Sequence, residues 1–137
     1  MKLTLAVLAD YVSNENGKLF IIGTFDAINT TQFPAVLPQA GLAVKLQLSH
    51  GEAREHTVTI SVRDEDGQVI APQINGQLQI GDARLKGAAP TAQIAMNIGG
   101  LRFPKAGAYE FEIVVDGRHL ESVPFHVALA GPAAQAA

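Results

Sequence analysis

Residues 101–129 read LRFPKAGAYEFEIVVDGRHLESVPFHVAL, and their pattern decides the fold. Tyr109, Phe111, Ile113 and Val115 fall on one parity, with Glu110 and Glu112 on the other. Successive side chains of a strand point to opposite faces, so this alternation predicts a strand with one wet face. Asp116-Gly117 follows at once. Both central residues of a type I′ turn need φ > 0, which Asp-Gly tolerates, so a hairpin is expected. The returning strand places Val123, Phe125, Val127 and Leu129 on one face, whereas Leu120 has the opposite parity. A β-bulge at Glu121-Ser122, between the two phases, reconciles them. Pro124 has no N–H to donate, which predicts an edge strand or a Pro nitrogen turned away from its neighbour.

Ahead of the hairpin lies Pro104-Lys105-Ala106-Gly107-Ala108-Tyr109. A Pro/Gly turn before a Tyr that opens a strand has the form of a tyrosine corner. In that motif the hydroxyl bonds to upstream backbone at the end of an immunoglobulin-like sandwich. Phe111 stands where an antibody domain carries its second cysteine, so an apolar side chain fills the space of the disulfide.

The chain has 137 residues, one domain's length with room for a core. Hydrophobic residues make up 47% and charged residues 17%, with 13 Gly and 7 Pro. That balance suits half-buried strands joined by tight turns. No cysteine is present, so disulfides, thiolate metal sites and cysteine nucleophiles are excluded. A net charge of −3 gives no general basic footprint, and no nucleic-acid partner is expected. The apolar run Leu3 to Ala9 ends in Asp10 without a small-x-small cleavage site, and it is too short to span a membrane. It is read as the first strand of a cytoplasmic protein that does not engage a membrane.

Leu3, Leu5 and Val7 share one parity of that strand, with Ala6 and Leu8 on the other. Asn14-Glu15-Asn16-Gly17 is a turn signal, so the next strand pairs back as a hairpin. That strand, residues 18–28 (KLFIIGTFDAI), is apolar on both faces. Leu19, Ile21 and Phe25 lie on one, Phe20, Ile22 and Ile28 on the other. A sandwich strand has one polar face. The second face is therefore covered, either by the proline-bracketed loop Phe33 to Pro38 or by another protein. Leu8, Phe20 and Ile22 are the candidate interface residues.

Residues 42–48 and 57–63 alternate as two further strands. Asp64-Glu65-Asp66-Gly67 turns the chain towards Val69 and Ile70. Short strands follow around Ile74 to Ile80 and Ile94 to Ile98, separated by the Gly/Ala-rich residues 81–90, which are expected to form a loop. The sum is an all-β chain, an immunoglobulin-like antiparallel β-sandwich of about eight or nine strands over residues 1–129. Residues 130–137 form an Ala/Gly/Pro-rich tail.

No catalytic, cofactor or metal residue is assigned. The Asp64 segment starts like a calcium loop, but its twelfth position is Asn75, so a charged turn is expected. His50, His56, His119 and His126 lack the spacing of a zinc site. No serine sits in a G-x-S-x-G elbow, and Gly99-Gly100 opens no phosphate cradle. Glu110 and Glu112 project about 7 Å apart, near the span of a glycosidase pair. Without aromatic subsites they are read as a solvated strand face.

Four blocks in this order resemble a family of small bacterial proteins known only as a domain of unknown function. They are LADYV at residues 8–12, GKLFIIGTFDAI at 17–28, FPAVLP at 33–38 and LRFPKAGAYEFEIVVDG at 101–117. The resemblance implies a bacterial, cytoplasmic, immunoglobulin-like sandwich and brings no site residues with it. The function expected is a non-enzymatic protein-interaction or assembly module. Its partner is the chain itself, as in a homodimer, or another protein. The alternative is a small-ligand or carbohydrate binder using loops at one sandwich end, residues 29–38 and 81–90.

Overall fold

The computed structural model describes residues 1–49, 51, 55–78 and 90–130. Among these, nine strands and no helix are found: β1 (Lys2–Glu15), β2 (Lys18–Thr24), β3 (Ala27–Thr30), β4 (Ala35–Gln47), β5 (His56–Asp64), β6 (Ile74–Leu78), β7 (Thr91–Phe103), β8 (Gly107–Val115) and β9 (Arg118–Leu129). They form a four-stranded sheet in the order β2-β1-β4-β7 and a five-stranded sheet in the order β3-β9-β8-β5-β6. The five-stranded sheet curls into a half-barrel. All neighbours are antiparallel except β3 and β9. His50, Ile80, residues 81–89 of the expected loop and the tail from residue 131 lie outside the described residues.

Both hairpins read from the sequence form about two-residue turns. Asn16-Gly17 joins β1 to β2 with φ of 53° and 79°, and Asp116-Gly117 joins β8 to β9 with φ of 51° and 78°. Positive φ at both positions defines the type I′ turn, whose twist matches that of the flanking strands. In β9 the register shifts by one residue between His119 and Glu121. The extra residue, Leu120, makes the bulge that the two hydrophobic phases require, one position before the expected one. Pro124 lies opposite Glu110, upstream of the point where β3 joins β9 at His126. Its outer side thus has no strand to disappoint.

The core lies between the sheets. Leu42, Val44, Leu46 and Leu48 from one sheet face Val58, Ile60, Phe111, Ile113 and Phe125 from the other, all buried. Phe103 packs edge-on against Tyr109 and Phe125 at centroid distances of 5.0 and 5.7 Å. Phe111 closes on Phe125 at 5.6 Å. Edge-on and tilted rings set the positive rim of one against the negative face of the next.

The Tyr109 hydroxyl donates to the Lys105 carbonyl at 2.6 Å. It ties the turn before β8 to the first residues of the strand, the bond on which a tyrosine corner rests. The Phe33 to Pro38 segment differs from the loop expected of it. Ala35 to Pro38 is the start of β4, paired with β7, and Phe33 packs on the main core. A proline is tolerated at position 38 because β1 pairs with β4 only from Gly41 onwards, leaving that side of β4 without a strand.

Tyr109→Phe keeps the ring and removes only the hydroxyl. The change is expected to cost about 1–2 kcal/mol. Urea unfolding should show a lower midpoint at an unchanged m-value. An unmoved midpoint would mean that the bond to Lys105 contributes nothing to stability.

Candidate functional site

The doubly apolar strand finds its explanation in the first hairpin. Through Ala9, β1 lies in its sheet beside β4. Beyond Ala9 it climbs out of the sheet plane and crosses the outer face of β4 at Gly41. A Cβ on Gly41 would stand 3.0 Å from a methyl of Val12 and 3.1 Å from Asn97 Oδ1, so any side chain there would press on both partners of the crossing. Asn97, opposite Gly41 on β7, reaches across it to the Val12 backbone. The Val12 N–H donates to Asn97 Oδ1 at 3.0 Å, and Asn97 Nδ2 donates to the Val12 carbonyl at 2.7 Å. One side-chain amide thus replaces the strand that β4 no longer supplies. Gln39 Nε2 adds a bond to the Asp10 carbonyl at 3.2 Å.

The register of the hairpin sorts its side chains. Val12 pairs with Ile21 and Asn14 with Leu19, whereas Tyr11 pairs with Ile22 and Ser13 with Phe20. Paired residues share a face. Val12, Leu19 and Ile21 point down and form a second, small core with Ala9, Ala43 and Ala95. The alanines leave room for the hairpin to lie close. Tyr11, Phe20 and Ile22 point up to solvent, with relative exposures of 44%, 49% and 60%. Three large apolar groups thus share one open face on strands β1 and β2. The outer edge of β2 pairs with no described strand.

The expected interface residues therefore divide. Phe20 and Ile22 lie together on the exposed face. Leu8 does not join them: it is 1% exposed and belongs to the main core. The reason is a register shift between Leu3 and Leu5, which sends Leu3, Ala6 and Leu8 inward and Val7 outward. A one-residue slip exchanges the two faces of a strand. Tyr11 was not among the expected residues. The Asn16-Gly17 turn carried the signal, because a two-residue connection pairs positions summing to a constant and sets Tyr11 opposite Ile22.

The remaining candidates resolve into turns and pairs. Asp64 Oδ1 accepts the N–H groups of Asp66 and Gln68, closing a turn. Glu112 faces Arg63 with Oε2 at 3.4 Å from Nε. His119 Nε2 lies 2.8 Å from Ser122 Oγ, and the His126 amide donates to the Asp26 carbonyl. Among the described residues no group of three or more His, Cys, Asp or Glu is placed to hold a metal. The buried His56 ring sits with Nδ1 2.5 Å from Asp116 Oδ2. Asp116 Oδ1 also accepts from the Thr57 N–H at 3.0 Å and its hydroxyl at 3.3 Å. The carboxylate latches the β8–β9 turn to the start of β5. The hydrogen bond from His56, then that from the Thr57 amide, hold its pKa below the ordinary value of 3.8. Of the two end loops expected to seat a small ligand, the first is absorbed by β3, Phe33 and β4, and the second lies outside the described residues apart from Pro90.

Residues 4–128 match DUF6941, a family of unknown function. No curated protein matches the chain. Among solved structures, the chain is similar to part of the Pseudomonas fluorescens alkylpurine DNA glycosylase AlkC bound to DNA containing an abasic site analog. The identity is 14% and the TM-score 0.46, over 90% of this chain and 30% of that one. The similar protein is bound to DNA, and the expectation that nucleic acid is no partner is withdrawn. A net charge of −3 sums the whole surface and does not forbid a local contact. At that identity and TM-score the likeness assigns neither fold nor partner to this chain. No helix among the described residues is long and apolar enough to cross a membrane.

Asn97→Leu removes both bonds to Val12 and is expected to cost about 1–3 kcal/mol. Amide hydrogen exchange at Val12 should accelerate, while that at Ile113 follows only the global change. Unaltered protection of Val12 would show that the hairpin is held by its apolar face alone.

The Asp116 latch sets a pH dependence. A carboxyl whose folded pKa is lowered stabilises the fold above its unfolded value, and this contribution disappears as pH falls through the folded value. Asp116→Asn retains the tolerance of positive φ but not the charge. Wild type should melt higher than Asp116→Asn at pH 6, with the gap closing as pH falls below 3.8. Parallel melting curves from neutral to strongly acidic pH would refute the latch.

Proposed function

We propose that this chain, which belongs to the DUF6941 family of unknown function, is a non-enzymatic protein-interaction module that docks through the raised β1–β2 hairpin. One observation carries the proposal: Tyr11, Phe20 and Ile22 stand together on its solvent face, each more than two-fifths exposed. Apolar groups gathered on one surface, aromatics among them, have the composition of interaction sites. Tyr and Phe bring large contact area at low cost in side-chain entropy, since each has only two rotatable side-chain angles. Next to them, β2 presents an edge that pairs with no described strand, so side-chain packing and backbone pairing act at one place.

The proposal extends to an immunoglobulin-like sandwich in a bacterial cytoplasm. The Tyr109–Lys105 bond and the packing of two sheets, antiparallel apart from the β3–β9 pair, support the fold, and the absence of cysteine suits a reducing compartment.

Phe20→Asp is expected to leave unfolding within about 0.5 kcal/mol of wild type, as exposed substitutions do. Benzoylphenylalanine placed at Ile22 should crosslink in native cells to a protein of discrete mass, and Phe20→Asp should abolish the adduct. A Phe20→Asp chain that unfolds would make Phe20 a core residue. Absence of any adduct, with a sound fold, would remove the docking role of this face.

A further inference from the structure

We infer that the groove beneath the raised hairpin seats an extended peptide segment of a partner protein, which adds as a strand to the inner edge of β1. This rests on the interaction-module proposal and specifies the chemistry of the partner. The groove has a volume of about 670 Å³ and runs between β1 from Tyr11 to Glu15 and β7 from Thr91 to Asn97.

The strand edge follows from the turn. A two-residue hairpin makes the residues flanking it, Glu15 and Lys18, a hydrogen-bonded pair. Backbone groups alternate in direction along a strand, so those of Tyr11, Ser13 and Glu15 point to β2. Those of Asp10, Val12 and Asn14 point the other way. The Asp10 carbonyl is taken by Gln39, and Val12 is taken on both groups by Asn97. Asn14 is next in the series. Its N–H and C=O face the groove and meet no partner among the described residues. They are one donor and one acceptor, the set that an added strand uses.

A second observation comes from the opposite wall. Gln93 Oε1, on the outer face of β7 and lining the groove, is buried and accepts no hydrogen bond from the described residues. A buried acceptor without a donor is costly, and native structures hold few of them. A turn of the Gln93 side chain into the groove lets an incoming backbone N–H or side-chain amide supply that donor. Between Asn14 and Gln93, Val12 and Ala95 provide an apolar floor for alternate side chains. The wall from Val12 to Glu15 is about 10 Å long, the length of a short extended segment, and among the described residues Asn14 supplies its one free backbone pair. Glu15 at the rim is a carboxylate, and the described lining residues include no Lys, Arg or His. The segment that fits is therefore neutral or basic, and its main-chain amides provide most of the affinity.

The test uses the full chain and linear decapeptides selected from a random phage-displayed library. A selected peptide is titrated into isotopically labelled protein. Amide shifts are expected at Asn14, Ala95 and the Gln93 side chain. N-methylation of alternate peptide amides should weaken binding at least tenfold, while methylation of the intervening amides should not. Gln93→Leu should weaken binding at least tenfold without loss of melting temperature, whereas Val69→Ser, an exposed change in the other sheet, should leave it as in wild type. Binding that ignores N-methylation, or that shifts residues elsewhere, overturns the inference. So does a single-stranded oligonucleotide that shifts the groove residues where no peptide does. Crosslinking through Ile22 without any peptide binding overturns the groove seat and leaves the interaction module standing; failure of both removes the module as well.

Discussion

The Asn97 amide, bonded to both backbone groups of Val12, is the contact on which the shape of this protein depends. It lets β1 leave its sheet with the Val12 backbone satisfied, because both polar groups given up there by β4 are met by one side chain. The crossing rests on Gly41 below and alanines at 43 and 95 beside it. Any larger residue there would hold the hairpin away and break the geometry of the two bonds. The raised hairpin then creates two surfaces at once, an apolar face above and a polar groove beneath.

The two cores differ in kind. The main core joins four aromatic rings to branched aliphatic side chains from both sheets. Burial on that scale dominates folding, at about 25 cal/mol for each Å² of apolar surface. The second core is built on three alanines, with Val12, Leu19 and Ile21 as its larger members. It buries less surface, so the hairpin leans on directional bonds for its position. Elements held in this way sit at the low end of local stability, where binding surfaces are commonly found. At the other end of the hairpin Asp10 fits against Gly23, whose φ of 70° no side chain would readily share.

Much of this was legible in the residues. Asn16-Gly17 and Asp116-Gly117 marked both hairpins, since few dipeptides accept two positive φ angles. The alternation around Tyr109 and Phe111 placed the central strand of the core, and the Pro/Gly turn before it placed the hydroxyl of Tyr109 against upstream backbone. The double apolarity of residues 18–28 marked a strand with a second apolar face to account for. Leu8 was misplaced because a bulge near Thr4 leaves no trace in an apolar run such as LTLAVLA, where either parity can face inward. The start of β4 was hidden for a related reason. Two prolines bracket it, and only the departure of β1 makes a proline acceptable there. Net charge does not decide for or against nucleic acid, being a sum that carries no position.

The sequence by itself determined the all-β class, the two tight turns, the register each turn imposes and the presence of an unassigned apolar face. These are local properties: φ preferences and side-chain parity act over a few residues and survive in any tertiary setting. Only the tertiary structure decided which face of β2 meets solvent, that Tyr11 joins it and that Leu8 does not. It also decided the partner of Val12, a side chain 85 positions away. Such pairings depend on where two distant strands cross. The residues that permit the crossing, a glycine and a few alanines, reveal their role through the side chains they leave room for.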